Sequence, residues 1–174
     1  NGTISGSVAL NQSGFDESET ACDFGGGHVQ AAAFTSVTEW TVEAWINWDP
    51  AKTSKSHMFG NDQGGWSDDV LFGIGNENGA VGVPASHVGI IQQGAPDGPR
   101  DFVETPLTHS EWHHVVASGS TIAGELKLYV DGVLIGTDSS PANGLTLNGA
   151  VGVYVGTDGS YDRAFDGLID EFAL

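Results

Sequence analysis

Positive charge is what this sequence has least of. Only 5 of its 174 residues are lysine or arginine, against 23 aspartates and glutamates, and the formal net charge at pH 7 is −18. Such a surface repels nucleic-acid phosphates and anionic lipids, so we expect neither nucleic acid nor a membrane as a partner. It attracts divalent cations and tolerates high salt. Metal binding and simple solubility in saline surroundings are therefore two compatible interpretations of the acidic composition.

Cysteine, transmembrane segments and leader sequences are also scarce or absent. Cys22 is the single cysteine, so the chain cannot form an internal disulfide, and its alternation with Phe24 indicates a buried apolar residue. No apolar run reaches transmembrane length, and no basic-then-apolar leader is present. Because the chain begins at Asn1 without a start methionine, we expect a mature product or one domain cut from a larger protein.

Sustained helical periodicity is missing as well. In its place the sequence has 26 glycines and short alternating segments separated by turn residues. Many short strands at this spacing predict an all-β fold, a two-sheet antiparallel β-sandwich of the jelly-roll type. We expect residues 1–174 to form a single domain, with residues 1–19 as an N-terminal strand or linker. The predicted strands are residues 29–33, 41–48, 70–74, 88–91, 113–117, 125–130, 133–137, 151–156 and 165–174.

The clearest predicted hairpin surrounds Asp131 and Gly132. This dipeptide suits a tight two-residue turn because both residues accept positive φ at low cost. The alternation over residues 126–130 places the apolar side chains inward and Lys127 outward. Three longer segments, residues 50–57, 60–69 and 92–100, are predicted as surface loops of the kind that bind ligands in sandwiches.

The last ten residues carry the most specific signal. Residues 165–174 alternate like a strand with Leu168, Phe172 and Leu174 on one face, and Asp170 falls on that same apolar face. A carboxylate directed into a core needs a cation or several hydrogen-bond donors, because an isolated buried charge is very costly. Since the chain has so few cations, a bound metal ion is the natural candidate, and calcium suits an all-oxygen environment best.

Four segments now occur in a recognisable order: residues 40–46, 111–117, 128–132 and 165–172. In this order they resemble the concanavalin A-like jelly-roll superfamily, in particular its laminin G-like and pentraxin-like domains, over roughly residues 20–174. The resemblance implies a β-sandwich fold. It says little about the ligand, because this fold hosts lectins, carbohydrate-binding modules, adhesion domains and glycosidases.

The resemblance also implies a structural calcium near the last strand and an early turn. Carried over by position, it implies Asp170 as a side-chain ligand, and it implies that the turn after Cys22 contributes Asp23 or main-chain carbonyls. Residues 25–28 read Gly-Gly-Gly-His, where relatives tend to have further aspartates.

Residues 60–69 form the best candidate ligand loop. Calcium and nearby carboxamides can coordinate sugar hydroxyls, while an indole face stacks on the apolar side of a pyranose, a role open to Trp66. The alternative is a solvated acidic loop with this tryptophan folded back as a hydrophobic plug. The hard oxygen donors of the loop, as metal or ligand contacts, are Asn61, Asp62, Asp68 and Asp69.

A second polar loop begins at Asp158 and precedes the last strand. Tyr161 and Asp162 are candidate ligand contacts, so this loop is the predicted second wall of the site. Arg163 is expected to pair with Asp162 or Asp166, and a surface ion pair of this type is worth less than about 1 kcal/mol.

The expected roles of Trp45 and His114 depend on which face of the sheet their side chains occupy. Trp45 and Glu43 are expected opposite the apolar face of their strand, where a tryptophan is either a sugar platform or covered by a loop. His113 and His114 are adjacent, point to opposite faces and cannot chelate one ion together. Because His114 shares the parity of Val116, it is predicted on the core side.

Catalysis finds no support in the sequence. Glycosidases of this fold place paired acids on one strand as nucleophile and acid, and no such run is present. We therefore expect a non-catalytic, calcium-dependent carbohydrate-binding module, a lectin or adhesin, in a secreted or surface protein. Its partner is a cell-surface glycan or polysaccharide, and the isolated domain is expected to be monomeric. A protein-interaction or spacer module without a sugar site is the alternative, and a glycoside hydrolase or lyase comes third.

Overall fold

The computed structural model describes residues 2–16, 18–49, 56–61, 69–75, 86–93, 100–142, 144–150, 152–158 and 163–174. These residues contain no helix, and so none that could cross a membrane. Their strands are β1 (Gly2–Ser5), β2 (Val8–Ser13), β3 (Thr20–Phe24), β4 (His28–Ala31), β5 (Glu39–Trp48), β6 (Ser56–Gly60), β7 (Asp69–Ile74), β8 (His87–Gln93), β9 (Arg100–Pro106), β10 (His113–Ser120), β11 (Glu125–Val130), β12 (Val133–Asp138), β13 (Val153–Val155) and β14 (Gly167–Ala173).

The strands form two antiparallel sheets of seven, packed face to face. Sheet I has the order β1-β4-β13-β6-β7-β8-β9, and sheet II has the order β12-β11-β10-β5-β14-β3-β2. The core lies between them and includes the fully buried Ile46, Phe72, Ile90 and Leu128. The predicted jelly-roll sandwich is confirmed, since alternating apolar residues from each sheet fill one interior.

The predicted hairpin is also confirmed. Asp131 and Gly132 have φ values of 50° and 76°, the left-handed conformation that a tight turn between β11 and β12 requires. Leu126 and Leu128 are fully buried, and Lys127 lies on the outer side with its Nζ 2.5 Å from a carboxylate oxygen of Glu125.

Strands near the N-terminus and at predicted loops were missed by the sequence patterns. The segment assigned as one N-terminal strand or linker contains both β1 and β2. β6 begins inside the predicted loop 50–57, and all five of its residues are buried. Because both faces of β6 are covered, its sequence shows no polar–apolar alternation, and the pattern could not reveal it.

The predicted face of Asp170 is wrong in one respect. Ile169 and Phe172 pack into or against the core, whereas Asp170 pairs with Trp45 on the outer side of sheet II. Glu171 lies in the left-handed region at φ 47°, and the register of β14 shifts there. The extra residue of this bulge resets the alternation, so Asp170 and Phe172 point to opposite faces.

His114 was also assigned to the wrong side. It pairs with Trp45 of β5, while its neighbour Val115 pairs with the buried Ala44. His114 is therefore half-exposed on the outer face of sheet II. The parity with Val116 was correct, but Val116 lies on that outer face too.

Candidate functional site

The two predicted ligand loops leave sheet I side by side. Gly60 pairs with Tyr154 of β13, and a Cβ added at Gly60 would clash with the backbone of Asp158. The start of the 60–69 loop thus touches the start of the 158–163 loop, a neighbourhood that no sequence pattern could establish. Several predicted contact residues lie outside the described part of the chain, and of Asp69 only the backbone is described. The contacts of these residues stay predictions: Asp62, Trp66, Asp68, Asp69, Tyr161 and Asp162.

Asn61 lies at the root of the first loop and is fully buried. Its Nδ2 donates hydrogen bonds to the carbonyl oxygens of Asn148, at 2.7 Å, and Gly152, at 2.5 Å. Its backbone N–H donates to the Val70 carbonyl oxygen at 3.1 Å. Within the described ranges Oδ1 has no hydrogen-bond partner. Asn61 therefore anchors the start of the loop through its N–H groups, which leaves its Oδ1 as an available acceptor atom.

Asp158 forms a buried ion pair beneath the second loop. Arg163 Nη1 donates to its Oδ2 at 3.2 Å, and the two side chains are 8% and 0% exposed. His57 Nδ1 lies 3.7 Å from the same oxygen, and Thr157 Oγ1 donates to Oδ1 at 3.3 Å. The ion pair expected at the surface is thus buried, and its described partner is Asp158; pairing with Asp162 lies outside the described residues. Direct contact of Asp158 with a ligand stays a prediction, because residues 159–162 lie outside the described part.

Asp170 is buried, and main-chain donors meet its hydrogen-bonding needs. The Phe15 N–H donates to Oδ2 at 3.2 Å, and the Glu171 N–H donates to Oδ1 at 2.9 Å. Asp23 faces the same outer side, pairs with Leu168 and lines a groove of about 510 Å³. Among the described residues no three His, Cys, Asp or Glu side chains lie close enough to hold a metal ion. Calcium ligation by Asp170 and Asp23 stays a prediction, because these two side chains alone do not complete the coordination shell of the ion.

The single cysteine lies next to this carboxylate. Cys22 pairs with Ile169 of β14 and packs against the core, as predicted. Burial, with a smaller contribution from the Asp170 charge, raises the pKa of the Cys22 thiol above its ordinary 9.0. The thiol therefore ionises less readily than that of an ordinary cysteine.

The outer face of sheet II carries an aromatic stack. Trp45 lies opposite the buried Ala44 and Ile46, which confirms its predicted face. The ring of Phe15 lies on the indole with centroids 3.8 Å apart and planes 3° apart, and the His114 ring lies 5.1 Å from it on a neighbouring strand. Phe15 was missed because it sits in a turn, where no alternation marks it; the Gly-Phe-Asp sequence was its only signal.

Comparison with known proteins agrees with the architecture. The family model described as the concanavalin A-like lectin/glucanases superfamily, of laminin G type, matches residues 23–174. A search of curated proteins by sequence found no match.

Three solved structures have a similar fold. Domain 4 of AbnA, a GH43 extracellular arabinanase from Geobacillus stearothermophilus solved with arabinotriose, is 17% identical with a TM-score of 0.67, covering 98% of this chain and 80% of that one. A heptameric SAP-like pentraxin from Limulus polyphemus is 14% identical with a TM-score of 0.59, covering 83% and 67%. The CBM40 of the Ruminococcus gnavus IT-sialidase, bound to α2,3-sialyllactose, is 15% identical with a TM-score of 0.56, covering 82% and 85%. On the family match and the shared sandwich, this chain belongs to the concanavalin A-like lectin/glucanases superfamily as a laminin G-type domain.

Proposed function

We propose that this domain is a non-catalytic, calcium-dependent carbohydrate-binding module of a secreted or cell-surface protein. The observation that carries the proposal is the contact between the starts of the 60–69 and 158–163 loops, which follow the neighbouring inner strands β6 and β13 of sheet I. The sequences that follow these two starts are rich in oxygen donors and include Trp66 and Tyr161. The fold is shared with an arabinanase domain solved with arabinotriose and with a module bound to sialyllactose, which supports a glycan as the ligand class.

The buried polar groups below the loops support the same proposal. Asn61 and the Asp158–Arg163 pair fix the two loop starts by hydrogen bonds from below. A binding site on loops gains affinity when its supports are ordered before the ligand arrives. In this proposal Trp66 stacks on a pyranose, and the second wall comes from Tyr161 and Asp162. The calcium and hydroxyl contacts come from Asp62, Asp68 and Asp69, while the buried Asn61 anchors the start of the loop.

Calcium enters the proposal at two places. Carboxylates of the first loop would hold an ion that orders the loop and coordinates sugar hydroxyls. Asp170, with Asp23, would hold a structural ion only if main-chain oxygens complete the shell.

A glycan array run with calcium and with a chelator tests the proposed function. We expect binding to a defined set of glycans that the chelator abolishes. Trp66→Ala should weaken binding about ten- to a hundredfold, by analogy with the loss of a stacked base, with the melting temperature nearly unchanged. Binding that survives Trp66→Ala alongside a large loss of stability would identify Trp66 as a core plug and contradict the assignment.

One observation favours the second candidate, a protein-interaction module. The edge strand β12 exposes three consecutive apolar side chains, Val133 at 62%, Leu134 at 49% and Ile135 at 37%. Apolar edge strands are common sites of protein association. An array without hits, together with self-association that a charged substitution at Leu134 removes, would favour this role over glycan binding.

A further inference from the structure

The aromatic stack on the outer face of sheet II presents one ring face to solvent. Phe15 covers Trp45 with parallel planes and is itself 38% exposed. The central strands of sheet I differ, because every residue of β6 and all but the first of β8 are buried. A flat, partly exposed phenyl ring backed by an indole is a surface on which the C–H face of a sugar can stack.

The Phe15 ring is held in place by its own turn. Gly14 N–H donates to the Glu19 carbonyl oxygen at 3.4 Å, and the Asp16 carboxylate accepts hydrogen bonds from Ser18 N–H and Oγ. The Phe15 N–H is tied to Asp170. Little conformational freedom would be lost on binding, which is the condition under which a single stacking residue contributes most.

The ionisable groups described near the stack are mainly acidic. Glu43 lies two residues from Trp45 on the same strand face, and its side chain is 44% exposed with Oε2 3.5 Å from His114 Nε2. Asp131 accepts the His114 N–H at 2.9 Å and is 49% exposed. Lys127, the one lysine within the described ranges, is paired with Glu125. With a net charge of −18 over the whole chain, this surface attracts a cation and repels an anion.

We propose that this face is a second saccharide site, selective for a protonated amino sugar such as a glucosamine oligomer. The sugar C–H face would stack on Phe15, and its ammonium group would lie toward the Glu43 carboxylate. Cation–π attraction to the ring pair adds to the preference for a positive charge. The site shares no residue with the 60–69 loop and needs no metal, so it stands or falls independently of the proposed calcium-dependent function.

Calorimetric titration with a fully deacetylated glucosamine oligomer, in the presence of a chelator, tests the proposal. We expect binding that weakens as salt is raised. Phe15→Leu keeps the apolar contact with Trp45 but removes the flat ring, and it should weaken binding about ten- to a hundredfold. Phe102→Leu is the matched control, because Phe102 is a similarly exposed phenylalanine, at 40%, on β9 of sheet I. It should bind like the unmodified protein.

Two further arms separate the sugar from charge alone. Glu43→Gln should weaken binding several-fold and reduce its salt dependence, and a galacturonate oligomer should not bind. Lysine oligomers of equal charge should bind at least tenfold more weakly than the amino sugar. Equal binding of oligolysine, equal binding of galacturonate, or unchanged binding by Phe15→Leu at an unchanged melting temperature would each overturn the proposal. Loss of glycan-array binding in Trp66→Ala would not bear on this proposal, provided that the variant still binds the glucosamine oligomer.

Discussion

Asp170→Ala tests what the buried carboxylate at the end of the chain contributes. The carboxylate is 7% exposed and accepts two main-chain N–H groups, those of Phe15 and Glu171. Hydrogen bonds to a charged group are worth about 1.5–3 kcal/mol each. The Glu171 bond is local and its N–H can be rehydrated, so we count mainly the bond to Phe15. The expected loss in the free energy of unfolding is about 1.5–3 kcal/mol.

Thermal unfolding with a chelator present measures this loss. For a chain of this length about 1 kcal/mol corresponds to roughly 2–4 °C, so the melting temperature should fall by about 3–12 °C. Asp23→Ala is the matched control, because it removes a half-exposed carboxylate from the same outer face and should change stability by less than about 0.5 kcal/mol. If Asp170→Ala, measured with the chelator, lowered the free energy of unfolding by less than about 1 kcal/mol, the hydrogen-bond argument would be refuted.

The unmodified protein and Asp170→Ala, measured again with calcium, test the predicted ion. If Asp170 is a calcium ligand, calcium stabilises the unmodified protein by mass action and the cost of Asp170→Ala grows with calcium concentration. An equal cost under both conditions would remove Asp170 from the calcium prediction and leave its structural role intact.

Two more predictions concern buried ionisable groups. Asp158→Ala leaves Arg163 buried without its carboxylate and should cost about 3–5 kcal/mol in denaturant unfolding, whereas Glu125→Ala, at the half-exposed pair with Lys127, should cost less than about 1 kcal/mol; equal losses would contradict the contrast. Because burial and then Asp170 raise the pKa of Cys22, a disulfide reagent should react with it more slowly than with free cysteine, and Asp170→Asn should speed that reaction; an unchanged rate would show that the carboxylate has no influence on the thiol.

The sequence predicted those parts of the fold where one strand face is buried and the other is not. β5 and β11 alternate cleanly, and their inward residues are the expected ones; β10 alternates as cleanly, but its inward face is that of Val115 and not the predicted face of His114. β6 was hidden because both of its faces are covered. The face of Asp170 was misassigned because a bulge at Glu171 adds a residue that alternation cannot anticipate.

The candidate sites were harder to predict because they depend on contacts between distant segments. That the 60–69 and 158–163 loops start against each other follows from the pairing of Gly60 with Tyr154, which nothing in either loop encodes alone. The buried partner of Arg163 was missed because three nearby aspartates are equally plausible in sequence. The contact of Phe15 with Trp45 likewise joins two segments that are distant in the sequence.

The position of β14 in sheet II has a consequence for how the chain reaches this structure. It follows every other described strand in sequence, yet it lies between β5 and β3 in the middle of the sheet. Until β14 is synthesised, β5 and β3 are both open edges with apolar inner faces, a state prone to pair with other chains. Sheet II can therefore be completed only after Gly167–Ala173 has been synthesised. A chain that stops before Gly167 should aggregate rather than form a smaller sandwich.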